Sequence, residues 1–201
     1  MARLSEKRRL DGLLSLVPAE LPEPGEAAAV DTATPLTFER AYAMHAGYVA
    51  GLAGRILGRN DDVPDVVQEV FLIAHRRLSN VRQASALRTW LGRITVREAS
   101  RRLRWRRLRN FLTPANVEVD LIADETAAEL RPLVALLYVA LDRLPARERS
   151  AWVLRNLLDE PLDQVAELCS CSLATAKRRI AAADILLEPL LAPAGENKEN
   201  A

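Results

Sequence analysis

Pro161-Leu162-Asp163-Gln164-Val165-Ala166-Glu167-Leu168-Cys169-Ser170-Cys171-Ser172-Leu173-Ala174-Thr175-Ala176-Lys177-Arg178-Arg179-Ile180, continuing to Leu187, is the stretch that decides the fold. Leu162, Val165, Ala166 and Leu168 recur at helical spacing and give a short helix one apolar face. A connection over 169–172 leads into a second helix that Ser172 is placed to cap, with Leu173, Ala176, Ile180 and Leu187 inward. Ala166 is small, as a close crossing of two short helices requires. Thr175, Lys177, Arg178 and Ala181 then face outward. Such a pair is a helix-turn-helix whose second helix fits the DNA major groove, although a plain helical hairpin with a solvated Lys-Arg-Arg corner has the same periodicity. Ser170 stands where this turn usually carries glycine, and a left-handed serine costs about 1 kcal/mol. Cys169 and Cys171 fall where apolar side chains flank the turn, and they read as buried structural thiols. A Cys-x-Cys pair without a nearby third ligand makes a poor zinc site, so no metal or cofactor is expected. His45 and His75 read as partly exposed helical histidines.

Working outward, the rest of the chain is helical too. Helices are expected at about 129–143, 146–158, 161–168 and 173–190, with Pro145 and Pro161 as first-turn signals. In the first half, Thr37 caps a helix running to Gly58, and Asp61 or Asp62 caps the next, which has Pro64 in its first turn and Val66, Val67, Val70, Ile73 and Ala74 inward. Ser85 caps a long helix with an inner stripe of Trp90, Leu91, Ile94 and Ala99. Strand-like alternation is absent. The expected architecture is all-α, with two small helical domains joined by a flexible linker and the helix-turn-helix in the second. Composition breaks set the bounds: an extension over 1–35 rich in proline and alanine, a domain over 36–109, an acidic linker over 110–128, a domain over 129–191 and a tail over 192–201.

The net charge of +1 over 201 residues hides a strong polarity. Residues 36–110 carry fifteen arginines against six acids, a net of +9, whereas residues 111–170 carry a net of −6. The extreme lies in 82–109, where ten arginines face Glu98 alone. Arg93, Arg97, Arg101 and Arg104 recur at helical spacing as one cationic stripe, and most of the chain's aromatics lie in the same half. Cations that follow a backbone, with aromatics to stack unpaired bases, suit single-stranded nucleic acid. Ten arginines against one acid are too lopsided for ordinary solvation. On the preceding helix, Asp62, Asp65, Gln68 and Glu69 form a small acidic-amide face beside Val66, Val67, Val70 and Phe71. These charges serve either as caps and solvated groups or as a dock for a basic partner.

Two runs resemble known motifs. Asp62-Val63-Pro64-Asp65-Val66-Val67-Gln68-Glu69-Val70-Phe71, followed by Leu87-Arg88-Thr89-Trp90-Leu91-Gly92-Arg93-Ile94, resembles the second conserved region of bacterial RNA polymerase sigma factors, closest to the extracytoplasmic-function (ECF) group of the sigma-70 superfamily. Leu141-Asp142-Arg143-Leu144-Pro145-Ala146-Arg147-Glu148-Arg149, with Gln164–Leu168 and Ala174–Ile180, resembles the fourth region. The resemblance covers about 36–109 and 129–191 and holds in order. It implies a promoter-specificity factor that binds core RNA polymerase through its β′ and β subunits and binds promoter DNA. Asp62, Asp65, Gln68 and Glu69 would dock on the β′ clamp helices. Asn80, Arg82, Ser85, Arg88, Arg93, Arg97, Arg101 and Arg104 would hold the melted −10 strand or its phosphates, with a flipped base near 80–85. Ser172, Thr175, Lys177, Arg178 and Arg179 would meet the −35 element. The acidic linker would thread through a nucleic-acid channel of the polymerase, and an anti-sigma protein is a further implied partner. This chain departs from the pattern in having Val81 where an aromatic is usual and Arg97 where asparagine is usual. Ala182 and Asp184 stand where arginines are usual, and a carboxylate at 184 would repel phosphate.

Other classes fit less well. No apolar run approaches the roughly 20 residues of a membrane helix, and the N-terminus makes a poor signal peptide. Two cysteines form no disulfide framework, which fits a cytoplasmic protein. An enzyme reading lacks a glycine-rich phosphate loop, a metal cluster and a nucleophile–base pair. A stand-alone helix-turn-helix regulator is the alternative, and it leaves the acidic-amide face and the cationic stripe without a use.

Overall fold

The computed structural model describes residues 37–58, 61–78, 81, 84–112 and 131–191, and no strand occurs among them. Helix α1 is Phe38–Leu57, α2 is Val63–Arg77 and α3 is Leu87–Leu112; then come α4, Arg131–Leu141, α5, Ala146–Asn156, α6, Leu162–Leu168, and α7, Leu173–Leu191. The extension, most of the linker and the tail expected from composition lie outside the described residues.

Local chemistry sets the ends of α1. The Thr37 hydroxyl accepts from the Arg40 N–H at 3.3 Å, and Gly58 closes the helix at φ 68°, a left-handed value that glycine adopts without strain. Ala41, Tyr48, Val49, Leu52, Ala53, Ile56 and Leu57 follow at helical spacing, and all are buried. From α2, Val66, Val70, Phe71 and Ala74 meet them.

The third helix departs from the one-stripe expectation. Leu91, Ile94 and Ala99 are buried as expected, but so are Leu87, Thr95, Val96, Ser100 and Leu103. α1 and α2 cover one side of α3, while α5 and α6 cover another. Trp90 is half-buried, and α3 runs through Leu112, past the expected end of its domain. Gly92 is required where α3 passes between the halves: a Cβ there would stand 2.6 Å from Tyr48 Oη and 2.7 Å from Leu168 Cδ2. The buried apolar residues of both halves form one continuous cluster.

In the second half, Leu137, Tyr138 and Leu141 of α4, Trp152 and Val153 of α5, Val165 and Leu168 of α6, and Ala176, Ala183 and Leu187 of α7 make the core. The turn after α6 is a Schellman motif. Cys171 N–H donates to Ala166 O at 2.9 Å and Ser170 N–H to Glu167 O at 3.0 Å, with Ser170 at φ 49°. Ser172 then caps α7, its hydroxyl accepting from Thr175 N–H at 3.2 Å. Because Ser170 holds the strained angle with an exposed side chain, Ser170→Gly is expected to stabilise the chain by about 1 kcal/mol. Thermal unfolding should register this as a Tm rise of roughly 2–4 °C, and an unchanged or lower Tm would show that the hydroxyl contributes more than the strain costs.

Several positions differ from the sequence expectation. Leu173, expected inward, is exposed. Ser85 lies inside a 3-10 turn, Ala84–Ala86, rather than at the start of α3, which begins at Leu87. Of the two histidines, His75 is exposed, but His45 is buried, because it shares the inward face of α1 with Ala41 and Tyr48.

Candidate nucleic-acid and polymerase interface

The acidic-amide face of α2 divides into two parts. Asp62, at the start of the helix, makes no side-chain cap. Its Oδ1 accepts from Arg102 Nε at 2.7 Å and its Oδ2 from Arg106 Nε at 2.6 Å, while Arg102 Nη2 also donates to Asp65 Oδ2 at 2.6 Å. Asp62 therefore ties α2 to α3 and presents little carboxylate to a partner, unlike the expectation that placed it on the docking face. Asp65, Gln68 and Glu69 remain exposed along a groove between α2 and α3, and Trp105, 63% exposed, stands beside them. Sequence reasoning counted Trp105 only among the aromatics.

Burial works to raise the Asp62 pKa, but the hydrogen bonds and charges of Arg102 and Arg106 outweigh it and hold the carboxyl below its ordinary 3.8. A depressed carboxyl contributes stability above its unfolded pKa and loses it as pH falls through the folded one. Burial, and then the charge of Arg88, lower the His45 pKa below 6.5, so His45 also favours the folded state less as acid protonates it. Unfolding free energy should thus begin to fall below about pH 6.5 and fall again below about pH 4. Asp62→Asn is expected to cost about 2–3 kcal/mol at pH 7 and to flatten the lower limb. Urea titrations across pH measure both; an Asp62→Asn curve parallel to wild type would remove the assignment.

On α3, Arg93, Arg97, Arg101 and Arg104 are all exposed. Glu98 does not cancel the stripe at its surface. Its side chain is 8% exposed, and its two oxygens hold Arg97 Nε at 3.1 Å and Arg101 Nε at 2.7 Å, which fixes the direction of both guanidinium groups. Arg88 lies apart from this stripe, its guanidinium 4.5 Å from the centre of the Tyr48 ring and its charge acting on Glu160 of the second half. Ser85 is exposed ahead of the helix, and Asn80 and Arg82 lie outside the described residues.

On α7, Ser172, Lys177 and Arg178 are exposed and Thr175 is half-buried. Arg179 is half-buried and lies beside Cys169 and Ser170 of the α6–α7 turn, where its charge acts on the Cys169 thiol. Burial, with the neighbouring Cys171, pushes the Cys169 thiol up to about 12 despite Arg179, so at neutral pH it is an unreactive thiol. Asp184 accepts from the indole N–H of buried Trp152 at 2.8 Å. That bond gives the unexpected carboxylate of the recognition helix a structural use.

A half-open cleft of about 470 Å³ lies between the two halves. Arg77, Arg93, Arg97 and Arg104 line it from the first half and Arg147 and Arg179 from the second, over a floor that includes Trp90 and Leu168. Among the described residues, no group of three or more His, Cys, Asp or Glu is arranged to hold a metal ion, and no helix is long and apolar enough to cross a membrane.

Exposed arginines along α3, a helix-turn-helix and an acidic groove on one all-α chain fit a sigma-type transcription factor, and comparison with known proteins agrees. Sigma-70 region 2 matches residues 41–109, and Sigma-70, region 4 matches residues 135–183. The ECF RNA polymerase sigma-E factor of Haemophilus influenzae is 30% identical over 165 residues, 72% of this chain and 82% of that protein. That of Escherichia coli K12 is 32% identical over 170 residues, 71% of this chain and 82% of that protein. In fold, the chain is similar to the sigma factor RpoE of Bartonella quintana, solved in complex with the anti-sigma factor NepR, with a TM-score of 0.55 and 23% identity over 77% of this chain and 96% of that one. The chain belongs to the ECF RNA polymerase sigma factors.

Proposed function

We propose that the protein binds core RNA polymerase and directs it to promoters, where it recognises the −35 element, melts the −10 element and starts transcription. The observation that carries this reading is the presence, on one chain, of a cationic face fit for a melted strand and a capped recognition helix fit for a duplex. A stand-alone regulator needs only the second. Asp65, Gln68 and Glu69, with Trp105 beside them, form the dock for the β′ clamp helices, because an exposed aromatic next to oriented charges is the usual anchor of an interface. Arg93, Arg97, Arg101 and Arg104 hold the melted strand, and Ser172, Thr175, Lys177 and Arg178 face the −35 groove. Asp62 and Arg179 support these surfaces rather than make contacts, the first through α3 and the second through the α6–α7 turn. Residues 36–109 serve as the polymerase and −10 domain and 129–191 as the −35 domain, with the acidic segment between them lying along the polymerase's nucleic-acid path.

Sigma factors are in general non-enzymatic, and this chain is proposed to have no catalysis of its own and to work in the cytoplasm. An anti-sigma protein is the expected antagonist, as the Bartonella relative is bound to one. Run-off transcription with purified core polymerase on a random promoter library tests the reading. A discrete set of promoter-dependent products is expected, and none across the library would sink it.

A further inference from the structure

Arg149 of α5 fixes the spacing of the two halves. Its side chain is 1% exposed, and its Nε donates to Ile56 O at 2.7 Å and its Nη2 to Leu57 O at 2.8 Å, so it caps the end of α1. A buried guanidinium is costly to withdraw from such partners. Arg147 and Ser150 of the same helix line the cleft between the halves, whose walls are set in this way. Six arginines line that cleft, and no carboxylate stands among its described lining residues. Among the described residues, no ion pair involves Arg77, Arg93, Arg104 or Arg147. The groove between α2 and α3 is almost the same size, about 460 Å³, but there Asp62, Asp65 and Glu69 share the lining with Arg101, Arg102 and Arg109. That groove carries its own counterions, and the cleft needs them from outside.

Guanidinium groups that converge in a concave site focus positive potential where solvent screens it least, and their planar forks match phosphate oxygens two at a time. About 470 Å³ is the size of a small-molecule site. A single nucleotide with its phosphates is a ligand of that class, whereas several splayed nucleotides of a strand exceed it. Trp90, half-buried, shares the lining with Ile94 and Leu168 and offers the aromatic surface on which a base stacks. An inorganic anion would leave that apolar part of the lining unused.

We propose that the cleft is a binding site for a nucleoside polyphosphate, whose phosphates are held by Arg77, Arg93 and Arg104 of the first half and Arg147 of the second and whose base lies on Trp90. The ligand supplies the missing counter-charge and touches both halves, so it stabilises the folded chain by mass action. It also occupies Arg93 and Arg104 in place of the melted strand. That exclusion rests on the sigma reading, whereas the binding does not.

Calorimetric titration of the full, free chain with ATP and with GTP tests the site. One nucleotide per chain is expected, adenosine should not bind, and bound nucleotide should raise Tm. Arg77→Ala combined with Arg147→Ala, both at exposed positions, removes two charge-assisted contacts and should weaken binding about 30-fold or more. Arg143→Ala, at an exposed position outside the cleft, should leave binding within about twofold of wild type. Binding of neither nucleotide, more than one nucleotide per chain, or equal weakening by Arg143→Ala overturns the site. Trp90→Leu should weaken ATP about fivefold or more and leave inorganic tripolyphosphate within about twofold, and equal effects on the two overturn the base contact. Should Trp90→Leu lose helicity, tryptophan fluorescence of the wild type decides instead: ATP should quench it and tripolyphosphate should not, and no quench by ATP overturns the base contact. Silence in run-off transcription would sink the sigma reading and leave these titrations standing.

Discussion

Arg93→Ala combined with Arg97→Ala is expected to weaken open-complex formation by about 30- to 1,000-fold and to flatten its salt dependence. The magnitude follows from two charge-assisted contacts, each worth about 1–2 kcal/mol to a phosphate. Each phosphate contact to a single strand contributes a slope of about −0.7 in log K against log salt, so losing two should reduce the slope by about 1.4. The fold should tolerate the change. Both side chains are exposed, and when Arg97 is removed Glu98 keeps its 2.7 Å bond from Arg101. Permanganate footprinting of the melted region across a salt series measures both quantities, and unchanged melting at every salt concentration would remove these arginines from strand binding.

Lys177→Ala combined with Arg178→Ala is expected to abolish the advantage of a promoter that has a −35 element over one that lacks it, while core-polymerase binding stays within about twofold of wild type. Base-edge and phosphate contacts at a recognition helix are each worth about 1–3 kcal/mol, so the promoter preference should fall by about 10-fold or more. The two residues are exposed on α7, and the α2 groove shares none of their contacts. Arg179 behaves differently: it is half-buried beside Cys169 and Ser170 of the turn, so Arg179→Ala should lower stability before it alters sequence preference. Template competition with and without the −35 element, run beside a polymerase pull-down, separates the cases. Equal loss in both assays would make α7 a structural helix.

What was legible in the sequence was what local chemistry decides. Thr37 and Ser172 cap where a hydroxyl precedes a helical apolar pattern, and Ser170 takes the left-handed angle because the turn geometry demands it there. What was not legible depends on partners distant in the chain. Arg149 sits in the run Arg147-Glu148-Arg149, which reads as solvated surface, and only α1 folding beneath it makes it the most deeply buried of the three. Val96 and Ser100 fall outside the expected inner stripe of Trp90, Leu91, Ile94 and Ala99, and they are buried because α5 and α6 pack on α3. Asp62 read as a cap and a docking charge, because Arg102 and Arg106 reach it only through the antiparallel return of α3. Asp184 looked like a fault in a DNA-reading helix, since Trp152, 32 residues away, gives no sign in the sequence that it needs an acceptor.

The capping of α1 has a consequence for synthesis on the ribosome. Arg149 lies 92 residues after Leu57, so the helix emerges long before the groups that complete its end. At roughly 5–20 residues per second, Ile56 O lacks its Arg149 donor for about 5–20 s of elongation, whereas Leu57 O is already met by Arg106 Nη1 of α3 at 3.2 Å. The first half must therefore persist on α1, α2 and α3 alone, with the Asp62–Arg102–Arg106 tie closing it before translation reaches Arg149. A nascent chain stalled between these points has its α2–α3 groove in place and no second half seated on α3.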